Sequence, residues 1–237
     1  MLADAGVETP HHDARALLAH AKRTGSPPQR LLERRAAREP LAYILGRCRF
    51  CGLDLSVDPR VLVPTQERTG TLVAAALDLP PGARVHEVGT GCGAVALAIK
   101  SQRPDLVVTA SDISPDAVAV AVANAYRLDL RVTISAADGL PPGSHDLVVA
   151  NLPYTDAAQS TQRLQPEESR FQPGVALWAG ADSLGLIRRL IEQAPAGTEL
   201  ALEHAPHHTA EMHRMLGHAR TLRDARGDER VTIGTAP

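Results

Sequence analysis

The stretch Arg84-Val85-His86-Glu87-Val88-Gly89-Thr90-Gly91-Cys92-Gly93, with the apolar run 94–101 behind it, decides the fold class. Residues 84–88 read as a short strand entering a glycine turn, and 94–101 as the helix leaving it. Glycines at such a junction let the backbone approach a ligand closely, and the first amides of the helix stay free to face it. Working outward, strands are expected over 106–110, 130–135, 146–150, 199–203 and 230–234. Helices are expected over 115–127, 184–193 and 209–216, the first with Ser114 as N-cap and a proline in its first turn. A long polar loop is expected after Pro153. Alternating strands and helices imply an α/β fold, a doubly wound and mostly parallel Rossmann-like sheet.

Upstream the pattern changes. Residues 1–38 form a short helical segment, with Ala14, Leu17, Leu18 and Ala21 at helical spacing and a second, Arg-rich helix starting at Leu31 and Leu32. Arg34, Arg35 and Arg38 read as a solvated helix face. Residues 39–70 form a hairpin-like linker punctuated by Gly46, Gly52 and Pro59, and 71–237 are expected to form the α/β domain. The 237 residues suit one α/β domain with a small appendage.

A formal net charge of −2 offers no electrostatic support for general nucleic-acid binding. No apolar run approaches the ~20 residues that span a bilayer, so no membrane role is expected. Three cysteines make no disulfide framework, which fits a cytoplasmic setting. Cys48 and Cys51 have zinc-like spacing, but no second pair follows and no metal site is expected. His204 and Trp178 read as structural residues, and His11, His12, His207 and His208 as exposed helix starts.

The glycine turn outlines a cofactor site at Glu87, Gly89, Thr90, Gly91 and Gly93. Asp112, with Ile113 beside it, ends the next strand, where an acid can accept both hydroxyls of a ribose. A nicotinamide dinucleotide is a rival ligand, and an ordinary tight turn is the bland reading. The spacing is Gly-x-Gly-x-Gly and not the dinucleotide fingerprint. Glu87, two residues before the first glycine, favours S-adenosylmethionine (SAM), whose cationic amino group a carboxylate can hold. Asp138, before Gly139, falls where an adenine amino group would sit, and reads equally as a surface turn acid.

The chemical site is Asn151-Leu152-Pro153-Tyr154, at the end of the apolar strand over 146–150. An amide nitrogen is a poor nucleophile because its lone pair is delocalised. Two acceptors that fix its N–H bonds can aim it at a methyl donor, so catalysis rests on positioning and electrostatics. The Asn151 side-chain oxygen and the Leu152 carbonyl can be those acceptors, with Tyr154 as a wall. The bland reading is a strand-end turn, where Asn and Pro are common.

These motifs, in this order, resemble the HemK-type family, the release-factor glutamine N5-methyltransferases. The resemblance runs from about Glu39 to the C-terminus. It includes Glu39-Pro40-Leu41-Ala42-Tyr43-Ile44-Leu45-Gly46, Phe50, Gly52-Leu53 and Val61-Leu62-Val63-Pro64. It continues through the cofactor loop, the tetrapeptide, Arg170-Phe171-Gln172-Pro173, Leu202-Glu203-His204 and Asp228-Glu229-Arg230-Val231. The resemblance implies a class I methyltransferase fold, SAM as donor with S-adenosylhomocysteine as product, a release factor as partner, and Phe50 helping to enclose the substrate side chain. Gln172 is expected beside Phe50, Asn151 and Tyr154 on the substrate side.

Four departures fall on that side. Leu152 replaces the first proline of Asn-Pro-Pro-Tyr, and Gln172 stands where the family has Glu. Thr65-Gln66-Glu67-Arg68-Thr69 keeps only the acid of the family's pattern, and the helical segment before Glu39 is shorter than the family's usual N-terminal domain. A paralogue acting on a small-molecule acceptor is therefore the alternative function. Adenine N6-methylation of nucleic acid and a non-catalytic SAM-binding role are less favoured.

Overall fold

The computed structural model describes residues 1–154, 165–180 and 182–237. Helices α1 (Pro10–Thr24), α2 (Pro28–Ala36) and α3 (Leu41–Leu45) meet around Leu17, Ala21, Leu31 and Ile44. Gly25 ends α1 in the left-handed conformation, its N–H returning to the Ala21 carbonyl. A hairpin follows, with β1 (Arg47–Phe50) antiparallel to β2 (Leu53–Ser56). Its two-residue turn, Cys51-Gly52, has φ of +46° and +85°, the pairing that matches strand twist in tight hairpins. The hairpin thus lies within the expected linker, and α3 is an addition to it.

Helix α4 (Gln66–Ala75) was not foreseen from the sequence. It buries Thr69, Leu72 and Val73, a narrow stripe containing one polar residue, so its apolar periodicity is weak. The linker boundary drawn at residue 70 falls inside it.

The seven-stranded sheet region begins with β3 (Arg84–Val88), α5 (Ala94–Gln102), β4 (Val107–Asp112), α6 (Pro115–Arg127), β5 (Thr133–Ala136) and β6 (Leu147–Ala150). Two short helices follow, α7 (Pro166–Phe171) and α8 (Gly174–Leu177). Part of the polar loop expected after Pro153 is therefore helical, and residues 155–164 of it lie outside the described residues. The chain ends with α9 (Gly185–Gln193), β7 (Glu199–Glu203), a 3-10 turn at Pro206–His208, α10 (Thr209–Met215), β8 (Gly217–Arg223) and β9 (Glu229–Thr235).

Strand order is β5-β4-β3-β6-β7-β9-β8. The pairs from β5 to β7 are parallel, and β9 is antiparallel to both β7 and β8. The order turns back between β3 and β6, and open α/β sheets bind ligands at the carboxyl ends of the strands flanking such a point. All four residues of β6 are buried, as a central strand covered on both faces requires. β8 escaped the sequence reading because it is an edge strand that mixes His218, Arg220 and Arg223 with few apolar residues.

The arginine face of α2 is a correction. Arg35 is buried, with Nε donating to Asp13 Oδ2 at 2.7 Å and Nη1 to Glu167 Oε1 at 2.8 Å. Arg38 donates to both Glu167 oxygens at 2.7 Å. These arginines tie the N-terminal helices to α7, and long-range pairing of this kind leaves no periodic mark in sequence. His208 is likewise buried, not exposed.

Candidate active site

Two cavities flank the end of β6, and the tetrapeptide forms the wall between them. The first, about 480 Å³, is lined by Glu87 to Cys92 of the glycine loop with Asp112, Ile113, Asp138, Gly139 and Trp178, while Gly93, expected in the cofactor site, caps α5 and is not part of the lining. The second, about 420 Å³, runs from Glu203 and Tyr154 past Gln172 and Glu167 to Arg35 and Arg38. Asn151, Leu152, Pro153 and Thr69 line both.

On the first side the backbone needs its glycines. Gly89 has φ of +75°, and a Cβ there would meet Leu152 Cδ2 at 3.0 Å. Gly93 has φ of +85°, and a Cβ there would meet Leu97 Cδ1 at 2.9 Å and Ala121 Cβ on α6 at 3.3 Å, so a side chain would be strained by the backbone and crowded where α5 starts. Glu87 is buried. Its Oε2 accepts from the Thr90 hydroxyl at 2.6 Å and from the Ala96 amide at 2.9 Å, which satisfies an early amide of α5. Burial pushes its carboxyl up to about 8, against the pull of those two bonds and with Asp112 adding to the rise. Asp112 accepts from the Gly91 amide at 2.8 Å and the Ser114 amide at 2.9 Å, one bond to each oxygen. A carboxylate has about four lone-pair sites, so both oxygens can still receive a ligand's hydroxyls.

Asp138 lies at the cavity rim with both oxygens on Arg189, at 3.0 and 2.8 Å. The ion pair holds its carboxyl below the ordinary range. Trp178, read from sequence as a core residue, lines this cavity. Asn124, which the sequence reading passed over, is fully buried and donates to the Cys92 and Ser56 carbonyls at 2.9 Å each. It thereby fastens the hairpin to the glycine loop through α6. Only its place inside the buried stripe of an amphipathic helix could have flagged it.

On the second side, Asn151 Nδ2 donates to Thr69 Oγ1 at 3.3 Å. That contact turns Asn151 Oδ1 away from Thr69. The Tyr154 hydroxyl donates to Glu203 Oε1 at 3.4 Å, and burial together with this carboxylate raises its pKa. Gln172 lines this cavity, and its Oε1 is buried without a hydrogen-bond partner among the described residues. Phe50 lines neither cavity. It is fully buried at the end of β1, in the core that also holds Tyr43, Leu55 and Leu72, so the structure does not bring it beside Asn151. His204 is structural, as expected, bonded to the Ala205 carbonyl at 2.9 Å and the Thr232 hydroxyl at 2.7 Å.

The methyltransferase small domain family matches residues 67–168. A release factor glutamine methyltransferase of Deinococcus radiodurans is 36% identical, over 97% of this chain and 92% of that protein. Another, of Neisseria gonorrhoeae, is 37% identical over 86% of this chain and 80% of its own length. The chain belongs to the release factor glutamine methyltransferase family. A further member, of Geobacter sulfurreducens, is 40% identical over 70% of this chain, a match that spans 59% of that protein. The chain is thus a SAM-dependent methyltransferase. Its fold agrees with that of solved methyltransferases. The hMettl16 catalytic domain, in complex with a MAT2A 3'UTR hairpin, superposes with a TM-score of 0.58 at 14% identity, over 77% of this chain and 74% of that one. A methyltransferase from Pyrococcus furiosus gives 0.54 at 17% identity, over 77% and 87%.

Proposed function

We propose that this family member methylates the side-chain amide nitrogen of a glutamine in a peptide chain release factor. One observation carries the reading. Asn151 stands between the two cavities with Nδ2 engaged by Thr69, which leaves Oδ1 to accept an N–H from an amide in the second cavity. The Leu152 carbonyl takes the other N–H, and Tyr154 closes one wall. SAM supplies an electrophilic methyl on a sulfonium when bound in the first cavity. The cradle suits it: Gly89 and Gly91 admit the ligand against the backbone, Glu87 faces its amino group, and Asp112 faces its ribose. Thr90, Ile113, Asp138 and Gly139 complete the lining. Residues 1–38 and the 39–70 linker, held to α7 by Arg35 and Arg38, present the second cavity to a protein acceptor.

The extent of that cavity favours a peptide-borne amide over a free metabolite, because it runs on to the N-terminal helices. No described helix is long and apolar enough to cross a membrane, and all three cysteines are unpaired thiols, which suits a cytoplasmic role beside translation factors. A net charge of −2 argues against nucleic acid as the acceptor. Transfer of radiolabelled methyl from SAM to purified release factors, run beside a panel of free amides, tests this. Label on a release-factor glutamine is expected. Label only on a small amide would overturn the choice of acceptor.

A further inference from the structure

The second cavity contains one buried acid that methyl transfer, as set out above, does not use. Glu203 is 2% exposed at the carboxyl end of β7. Its Oε1 receives the Tyr154 hydroxyl, while Oε2 is buried with no hydrogen-bond partner among the described residues. A buried carboxylate oxygen left in this state draws any hydroxyl proton within reach. Thr69 offers such a hydroxyl: it lines the same cavity as Glu203, favours the charged form of the carboxyl, and accepts from Asn151 Nδ2.

A hydroxyl has one proton. Once that proton points at Glu203, Thr69 offers Asn151 only lone pairs. We propose that Glu203 is a positioning residue whose carboxylate claims the Thr69 proton and so fixes the Asn151 amide with Nδ2 on Thr69 and Oδ1 open to the acceptor, a role that rests on the amide-methylation reading and deepens it. When Glu203 is neutral, the Thr69 proton can turn to Asn151. The amide can then flip and present N–H groups, which an acceptor N–H cannot bond.

The charged and titratable groups facing Glu203 are Arg230 from β9, Arg68 from α4 and Tyr154 from the tetrapeptide. Burial raises the carboxyl to about 7, against the pull of Thr69 and these groups. The orientation of Asn151 therefore switches within the neutral range.

The test follows the Asn151 side-chain amide of the SAM-bound, ¹⁵N-labelled enzyme by NMR, with the resonance assigned by its loss in Asn151→Asp. Its shift should titrate with a midpoint near 7 in the wild type. It should be flat in Glu203→Gln, which keeps an acceptor but cannot ionise, and flat in Thr69→Val, while Thr69→Ser restores the titration. With the release factor as acceptor, kcat at pH 6 should be about tenfold below its plateau with KM little changed, as the ionised fraction requires. A wild-type amide that does not titrate, or a Glu203→Gln defect confined to KM, overturns the proposal. Amide titration without any release-factor methylation would overturn the acceptor assignment and leave the positioning role standing.

Discussion

Gly89 and Leu152 are in contact distance across the tops of neighbouring parallel strands: a Cβ on Gly89 would lie 3.0 Å from Leu152 Cδ2. The glycine loop and the tetrapeptide, to which the proposed function assigns cofactor and acceptor, are thus one packed unit. Gly89→Ala should be doubly unfavourable, from positive φ at roughly 1–2 kcal/mol and from the clash. Leu152→Ala added to it should remove the clash alone. Melting temperature and SAM affinity are expected to fall in Gly89→Ala and recover only in part in the double variant. Full recovery would mean that backbone strain at residue 89 is negligible.

Asp112→Ala should weaken SAM binding by roughly 1.5–3 kcal/mol, the range for hydrogen bonds to a charged group. Asp112 also holds the Gly91 and Ser114 amides, so a more conservative change separates the two effects. Asp112→Asn keeps one acceptor and should lose less. Calorimetric titration with SAM decides, and equal losses in both variants would tie the role of Asp112 to its charge alone.

Asn151→Ala should lower turnover by ~10²-fold or more, as removal of one preorganised polar group does. SAM affinity should change little. Parallel loss of cofactor affinity would move Asn151 into the cofactor site.

SAM binding at pH 7 should release protons. Glu87 is pushed up to about 8 by burial, so it is mostly neutral before binding. A cationic amino group brought beside it favours the charged form, and the proton leaves. Calorimetry in two buffers of unlike ionisation enthalpy should show release approaching one proton, and Glu87→Gln should abolish it. An observed enthalpy independent of buffer would separate Glu87 from the amino group.

Asp13→Asn should destabilise the fold by roughly 1.5–3 kcal/mol, the range for a hydrogen bond between charged groups, because it leaves the buried Arg35 with Glu167 as its one remaining carboxylate partner. Burial works against the Asp13 charge, but hydrogen bonds from Arg35, Thr9 and His12 outweigh it and hold the pKa down. A depressed carboxyl contributes stability above its unfolded value of about 3.9, lost as pH falls through the folded value. Urea midpoints of wild type and variant should therefore differ at pH 7 and converge in acid. A constant difference would assign the effect to packing.

Much of the fold was legible in residue order. The helix Pro115–Arg127 and the strand Glu199–Glu203 match the sequence reading to the residue, and Ser114 caps the former by accepting from the Ala117 amide at 3.3 Å. The cofactor loop and tetrapeptide were legible for the same reason: each is a local run whose turn chemistry is written in adjacent residues. Trp178, Thr69 and Glu203 reach the site from segments far apart in the chain, and no local pattern marks them.

By itself, then, the sequence determined the α/β alternation, the glycine turn, the acid after the next strand and the asparagine at a central strand's end. Those are properties of period, turn geometry and spacing, which act over a few residues. Tertiary structure alone decided that Arg35 and Arg38 clamp α7 and that Phe50 sits in the core. It alone brought Thr69, Asn151 and Glu203 to one cavity. Each depends on which distant side chain arrives to meet a charge, a ring or a hydroxyl, and that is settled only when the sheet closes its layers and burial makes an unpartnered polar group costly.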